Sequence, residues 1–262
     1  MNVYKDKFYR DRHEKTVYSA QTILSIILDT LPTVMSAVDV GCGVGTWLSV
    51  LRNIGIEEIQ GIDGSWVNKE LLQIPVENFM IHDLNIPINF NKKFDLAISL
   101  EVAEHLPEVI AQSFVTSLTK SADFVLFSAA IPYQGGQNHV NERWLEYWNN
   151  LFHQCGYIGL DIVRRRIWND NMIPVWYRQN IILFALEKRI PELKLQYEIA
   201  ELTPVSIIHP EIYSIYTSQA SSLESYINSL NSVKSLYNLF LEAIVRKLKF
   251  KRIFKNKRGS LY

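Results

Sequence analysis

Ser99–Pro107 reads SLEVAEHLP, which sets Glu101, Glu104 and His105 three and four residues apart. On an α-helix that spacing puts all three on one face. Two carboxylates so close repel, and one pKa rises unless a cation or proton sits between them. Two chemistries suit the set. Carboxylate oxygens with an imidazole are ligands for Mg²⁺ or Mn²⁺, which would lower the pKa of an acceptor oxygen. Alternatively a histidine acts as general base while a glutamate fixes its tautomer. A structural reading also stands, in which Glu101 caps the helix and Glu104 is solvated. The segment SAAIPYQGGQNHVNERW (128–144) adds His139 as a fourth ligand or as the base.

A second chemical signal is VDVGCGVGTW (38–47), in which Gly41, Gly43 and Gly45 alternate with Cys42 and Val44. Glycines let a backbone turn tightly and approach a ligand. Asp39, at the predicted strand end, suits the loop amides or a ligand ammonium. Asp63 lies eighteen residues past Gly45, where an acid suits ribose hydroxyls, and Asp83 ends a third predicted strand. Three acids at three successive strand ends indicate a nucleoside ligand. The spacing is not G-x-G-x-x-G, which argues against NAD, and no G-K-[ST] supports ATP.

These residues need a scaffold. Apolar runs at 36–40, 57–63, 77–83, 93–100, 122–129, 157–163 and 180–187 predict seven strands, with helices between the first five. That alternation implies an α/β fold with a mostly parallel sheet covered on both faces. Residues 11–29 read as a helix stopped near Pro32. TPVSIIHPEIY (203–213) reads as a proline-broken connector. From Ser221, apolar residues at steps of three and four predict one amphipathic helix of about 28 residues. Its stripe suits packing on its own domain or on a second copy, giving a homodimer.

Charge is segregated along the chain. Eight Lys/Arg fall in 246–258, and residues 1–242 carry 19 bases against 27 acids. The acidic body argues against a large nucleic-acid footprint, while the basic tail suits an anionic membrane surface. Two cysteines give no disulfide or zinc framework, the N-terminus is too charged for a signal peptide, and no apolar run spans a membrane. The expectation is a cytoplasmic protein.

VDVGCGVGTW, GIDG (61–64), HDL (82–84) and FDLAISLEVAEHL (94–106) together resemble the class I S-adenosylmethionine-dependent methyltransferases over roughly residues 35–187. The resemblance implies a seven-stranded Rossmann-like methyltransferase sheet in the order 3-2-1-4-5-7-6, its last strand antiparallel, here with a C-terminal helical extension. It implies a helical cofactor cover (1–32), a catalytic core (33–190) and the extension (191–262). S-adenosylmethionine is the implied cofactor and S-adenosylhomocysteine the product. Asp39, Gly41, Cys42, Gly43, Gly45, Asp63, Gly64, Asp83, Leu84 and Leu100 are its implied neighbours. The E-x-x-E-H segment with a later histidine resembles the metal site of small-RNA 2′-O-methyltransferases. The resemblance also brings Arg164, Arg165, Arg166, Trp168, Trp176, Tyr177 and Arg178 toward the acceptor, where arginine forks suit an anion and aromatic faces a sugar. The loop at 131–148 resembles a subgroup that builds bacterial surface polysaccharides. The implied reaction is O-methylation of a small polar, sugar- or phosphate-containing acceptor, a capsular phosphoramidate among them. N-methylation by a histidine base, RNA 2′-O-methylation and a non-catalytic cofactor-binding subunit are the rivals.

Overall fold

The computed structural model describes residues 3–195, 198–230, 237, 240 and 241. Its centre is a seven-stranded sheet in the order β3-β2-β1-β4-β5-β7-β6. The strands are β1 (Ser36–Val40), β2 (Glu58–Asp63), β3 (Phe79–Ile81), β4 (Leu96–Leu100), β5 (Phe124–Ser128), β6 (Tyr157–Leu160) and β7 (Ile182–Leu186). All neighbours pair in parallel except β7, which is antiparallel to both β5 and β6. The fold is therefore the Rossmann-like methyltransferase sheet that the motifs implied.

The described residues also form seven α-helices: α1 (Val3–Thr30), α2 (Thr46–Asn53), α3 (Ala111–Ser121), α4 (Leu145–Gln154), α5 (Arg164–Ile167), α6 (Val175–Asn180) and, in a second unit, α7 (Pro210–Leu230). Every residue of β1 and β5 is buried, as parallel strands covered on both faces require. Alternate residues feed two cores, because strand side chains alternate in direction. Ala37, Leu96, Ile98 and Leu126 join Ile23, Leu24 and Ile27 of α1 and Leu48 and Leu51 of α2. Val38, Val40, Ala97, Val125 and Phe127 join Phe114 and Leu118 of α3 and Trp148 and Phe152 of α4. Phe152 stacks on Phe184 of β7 at 3.8 Å.

The chain divides into two compact units, Met1–His209 and Pro210–Tyr262. The second unit begins its helix at Pro210, eleven residues before the predicted start at Ser221. Proline breaks a helix interior, yet at a first helical position its missing N–H costs nothing. The predicted continuation of that helix past Leu230 falls mostly outside the described residues, and the basic run 246–258 falls wholly outside them. β3 is shorter than its apolar run, since the chain turns at Asp83, whose Oδ1 accepts from the Asn85 amide (3.0 Å) and side chain (2.8 Å). No helix among the described residues is long and apolar enough to cross a membrane.

Candidate active site

The carboxyl ends of β1, β2 and β4 open onto a cavity of about 500 Å³ lined by Gly41, Asp63, Trp66, Asp83, Leu84, Glu101 and His105, among others. That volume lies within the range of small-molecule sites, and its place is the switch point of a parallel sheet. Gly41 follows β1 with φ +86°, and a Cβ there would lie 2.3 Å from Val102. The loop is pinned to β2. Gly41 and Cys42 N–H groups donate to the Ile62 carbonyl at 2.8 and 3.2 Å. Asp63 accepts from the Gly43 amide at 2.7 Å and from the Gly64 amide at 2.6 Å. Asp63, rather than Asp39, thus holds a loop amide, and it still borders the cavity. Asp39 is buried, and burial followed by the charge of Asp63 pushes its carboxyl well above the usual range. Burial likewise pushes the Cys42 thiol up.

Gly45 caps α2 in a left-handed conformation and packs on Ile74. Leu100 is half-buried at the end of β4. Asp39, Cys42, Gly43, Gly45, Gly64 and Leu100 are not among the cavity's lining residues and shape it from behind. Trp66 is a lining residue that sequence reasoning missed. Its ring lies across Gly64, where a Cβ would come within 2.1 Å, and it is otherwise exposed. An exposed aromatic three residues past a predicted ribose-binding acid was the signal available.

SLEVAEHLP does not form the expected α-helical turn. The chain leaves β4 through Glu101 in a left-handed conformation (φ 56°), and Ala103–His105 forms a 3₁₀ turn. The Glu101 amide donates to the Ser128 carbonyl (3.0 Å) and hydroxyl (3.1 Å), which locks that bend to β5. Spacing alone therefore did not place the three side chains. Glu101 is instead gripped from across the fold, by Gln134 Nε2 at 3.0 Å and Asn180 Nδ2 at 3.2 Å. Burial raises its pKa against those hydrogen bonds.

Glu104 is fully buried, and neither carboxylate oxygen has a hydrogen-bond partner. The amides of Glu104 and Ala130 approach it without hydrogen-bonding geometry. Burial first, and then the charge of Glu101, lift its pKa to about 9. Ligand atoms of Glu104, His105 and His139 all lie within 4.8 Å of one another. The His105 and His139 rings meet edge to face at 4.8 Å. Burial and then His139 lower the His105 pKa. Among the described residues, this is the group that could share one cation; Glu101 stands outside it. An unpartnered buried carboxylate beside two imidazoles fits a divalent metal. Two nitrogens with one carboxylate suit Mn²⁺ or a softer transition ion better than Mg²⁺.

His139 arrives on the loop between β5 and α4. Val140 and Asn141 amides donate to the Glu104 carbonyl at 2.9 and 3.0 Å, which ties loop to turn. His139 Nδ1 lies 2.8 Å from Glu142 Oε1. Glu142, Gln134 and Asn180 were not singled out from the sequence. They stand 33 to 79 residues from their partners or within a loop whose path periodicity does not encode.

The arginines expected at the acceptor are largely internal. Arg164 is buried, bonded to Asp161 at 2.6 Å and to the Gln179 carbonyl. Arg178 is buried and donates to the Ile173 and Trp168 carbonyls, with His209 Nε2 at 3.1 Å. Trp168 packs on His209 at 4.4 Å. Arg166 borders a separate small pocket with Arg165 and Lys194. Tyr177 is buried edge-on to Trp47 at 5.5 Å, and burial and then Glu101 push its hydroxyl up to about 12. None of Arg166, Trp168, Tyr177 and Arg178 lines the 500 Å³ cavity. Strand direction alone does not reveal that buried carbonyls and an acid consume the Arg164 and Arg178 guanidinium groups.

The chain belongs to the methyltransferase-domain family, whose sequence profile matches residues 10–158. Its sheet has the strand order of the class I methyltransferase fold. No curated protein sequence matches it. Solved structures similar to it include DesVI of Streptomyces venezuelae, at 19% identity and TM-score 0.42. That match covers 50% of this chain and 58% of DesVI, so this chain spans little more than half of that protein. Magnesium protoporphyrin IX methyltransferase (ChlM) from Synechocystis PCC 6803, with bound S-adenosylmethionine, is 21% identical with TM-score 0.47 over 71% of this chain and 84% of that one. CalS10, an amino pentose methyltransferase from Micromonospora echinaspora, is 12% identical with TM-score 0.49 over 71% and 97%.

Proposed function

We propose that this methyltransferase acts on an oxygen, with Glu104, His105 and His139 holding a divalent transition metal at the reacting centre. The observation that carries the reading is Glu104, whose two buried oxygens face a pair of imidazoles without any hydrogen-bond partner. An unpartnered buried carboxyl is costly, and a cation held jointly by three side chains removes that cost. Bound there, the metal supplies Lewis-acid stabilisation of negative charge on the acceptor oxygen as its proton leaves. The glycine loop and Asp63 shape the cofactor's place, with the Gly41 backbone exposed to it. Glu101, fixed by Gln134 and Asn180, contributes negative charge that favours a cation nearby. The chemistry itself is in-line transfer of a methyl group from sulfonium to oxygen, carried by positioning, exclusion of water and an acceptor of lowered pKa.

The acceptor we propose is a hydroxyl of a small sugar-type compound in surface-polysaccharide synthesis. It rests on the resemblance of the 131–148 loop alone. With Arg164 and Arg178 internal, the case for an anionic acceptor, including a phosphoramidate, is weaker than the sequence suggested. A second reading rests on His105. It borders the cavity, and its lowered pKa keeps it neutral near pH 7, so it serves as a base for amine or hydroxyl methylation without metal.

Calorimetric titration of Mn²⁺ into chelator-treated protein saturated with S-adenosylhomocysteine tests the first reading. Stoichiometric binding that Glu104→Ala abolishes, with S-adenosylhomocysteine affinity retained, is the expected result. No binding by the unsubstituted protein leaves the role to His105 or His139 as base.

A further inference from the structure

We propose that Glu142 is a positioning residue that decides which nitrogen of His139 faces the chemistry. The inference rests on the reading above only in placing His139 at the reacting centre. His139 Nδ1 lies 2.8 Å from Glu142 Oε1. The same carboxylate accepts the Gly135 N–H through Oε1 at 3.0 Å and the Tyr133 N–H through Oε2 at 2.7 Å. Two amides and an imidazole thus converge on one side chain that, ionised, can only accept. The imidazole must therefore donate from Nδ1, and in the neutral ring Nε2 keeps the lone pair. A lone pair on Nε2 is what either a metal or a transferred proton requires.

The loop around Glu142 is built for this arrangement. Tyr133 and Asn138 both adopt left-handed backbone, at φ 67° and 61°, although neither is glycine. Such residues cost about 1–2 kcal/mol each and persist where surrounding bonds enforce them. Here the enforcing bond at Tyr133 is its own amide on Glu142. Gly136 leaves room for the ring, since a Cβ there would lie 2.2 Å from His139 Nε2. His139 and Glu142 are both largely shielded, with side-chain exposures of 12% and 19%. A carboxylate behind a ligating histidine is a general means of fixing tautomer and raising donor strength.

The test uses the full chain labelled with ¹⁵N-histidine, after chelation, with the His139 signals assigned through a His139→Gln variant. Ring-nitrogen shifts should show the Nδ1-protonated tautomer in the unsubstituted protein. In Glu142→Gln, whose amide can present an N–H to Nδ1, the proton should move to Nε2. Glu142→Asp should retain the native tautomer in part. An unchanged tautomer in Glu142→Gln overturns the inference, whatever happens to stability or S-adenosylhomocysteine affinity. Mn²⁺ titration on the same samples tests the metal separately. If the unsubstituted protein binds Mn²⁺, Glu142→Gln should weaken it by about 10–100-fold. If that protein binds no Mn²⁺ and the tautomer still switches, the metal reading falls and the positioning role stands.

Discussion

Glu104 holds its proton to about pH 9 when no cation is beside it, because burial and the charge of Glu101 both oppose ionisation. In the unfolded chain a glutamate ionises near pH 4.3. Between those values the folded protein binds the extra proton, so folding stability is greatest at the acid end and falls as pH rises. The slope is about 1.4 kcal/mol per pH unit for one proton. Chelator-treated protein should therefore lose thermal midpoint from about pH 6 to about pH 9, and Glu104→Gln should flatten the loss. A slope that persists in Glu104→Gln would assign it to another group. At this scale the sequence displayed residue types better than contacts. Glu101, Glu104, His105 and His139 were visible as a set, and three of them do meet. Glu142, Gln134 and Asn180 carried no periodic signal, because their roles depend on where a loop and α6 return to β4.

The elements that present these residues were legible where burial dictates pattern. β1, β4 and β5 are short apolar runs because both faces are covered, and the glycine that follows β1 and the acid that follows β4 mark the ligand edge. The turn after β4 was not legible. Three-and-four spacing implies a shared face only if the backbone is α-helical, and Glu101 breaks that condition with its left-handed φ of 56°. What allows the turn to sit so near the glycine loop is the missing side chain at Gly41, above Val102. Gly41→Ala should cost about 2 kcal/mol or more, combining the clash with left-handed strain of about 1 kcal/mol. Val102→Ala opens space at the same contact. Urea unfolding of the two single variants and the double should give a sum at least about 1 kcal/mol larger than the double's loss. Additive losses would mean that the two elements do not set each other's distance.

Across the whole molecule, site and charge are separated along the chain. Every residue assigned to the cavity, the Glu104 cluster or Glu142 lies within the unit Met1–His209. Residues 231–262 carry nine Lys/Arg against one Asp/Glu, so a chain ending at Leu230 changes from neutral to net −8 without losing any site residue. Cofactor affinity and surface attraction should therefore separate on truncation. We expect S-adenosylhomocysteine affinity of the 1–230 chain to stay within about twofold of the full chain, since ion effects fade beyond a Debye length of about 8–10 Å. Attraction to anionic lipid is worth about 1 kcal/mol per basic residue near the surface, and it is screened by salt. The full chain should thus sediment with phosphatidylserine-containing vesicles at low ionic strength and be released by added salt. The 1–230 chain, net acidic, should stay in solution. Equal behaviour of the two chains would deny the tail a membrane role. A loss of S-adenosylhomocysteine affinity on truncation would show that the second unit helps to build the cofactor site, and the catalytic unit would then have to be redrawn past Pro210.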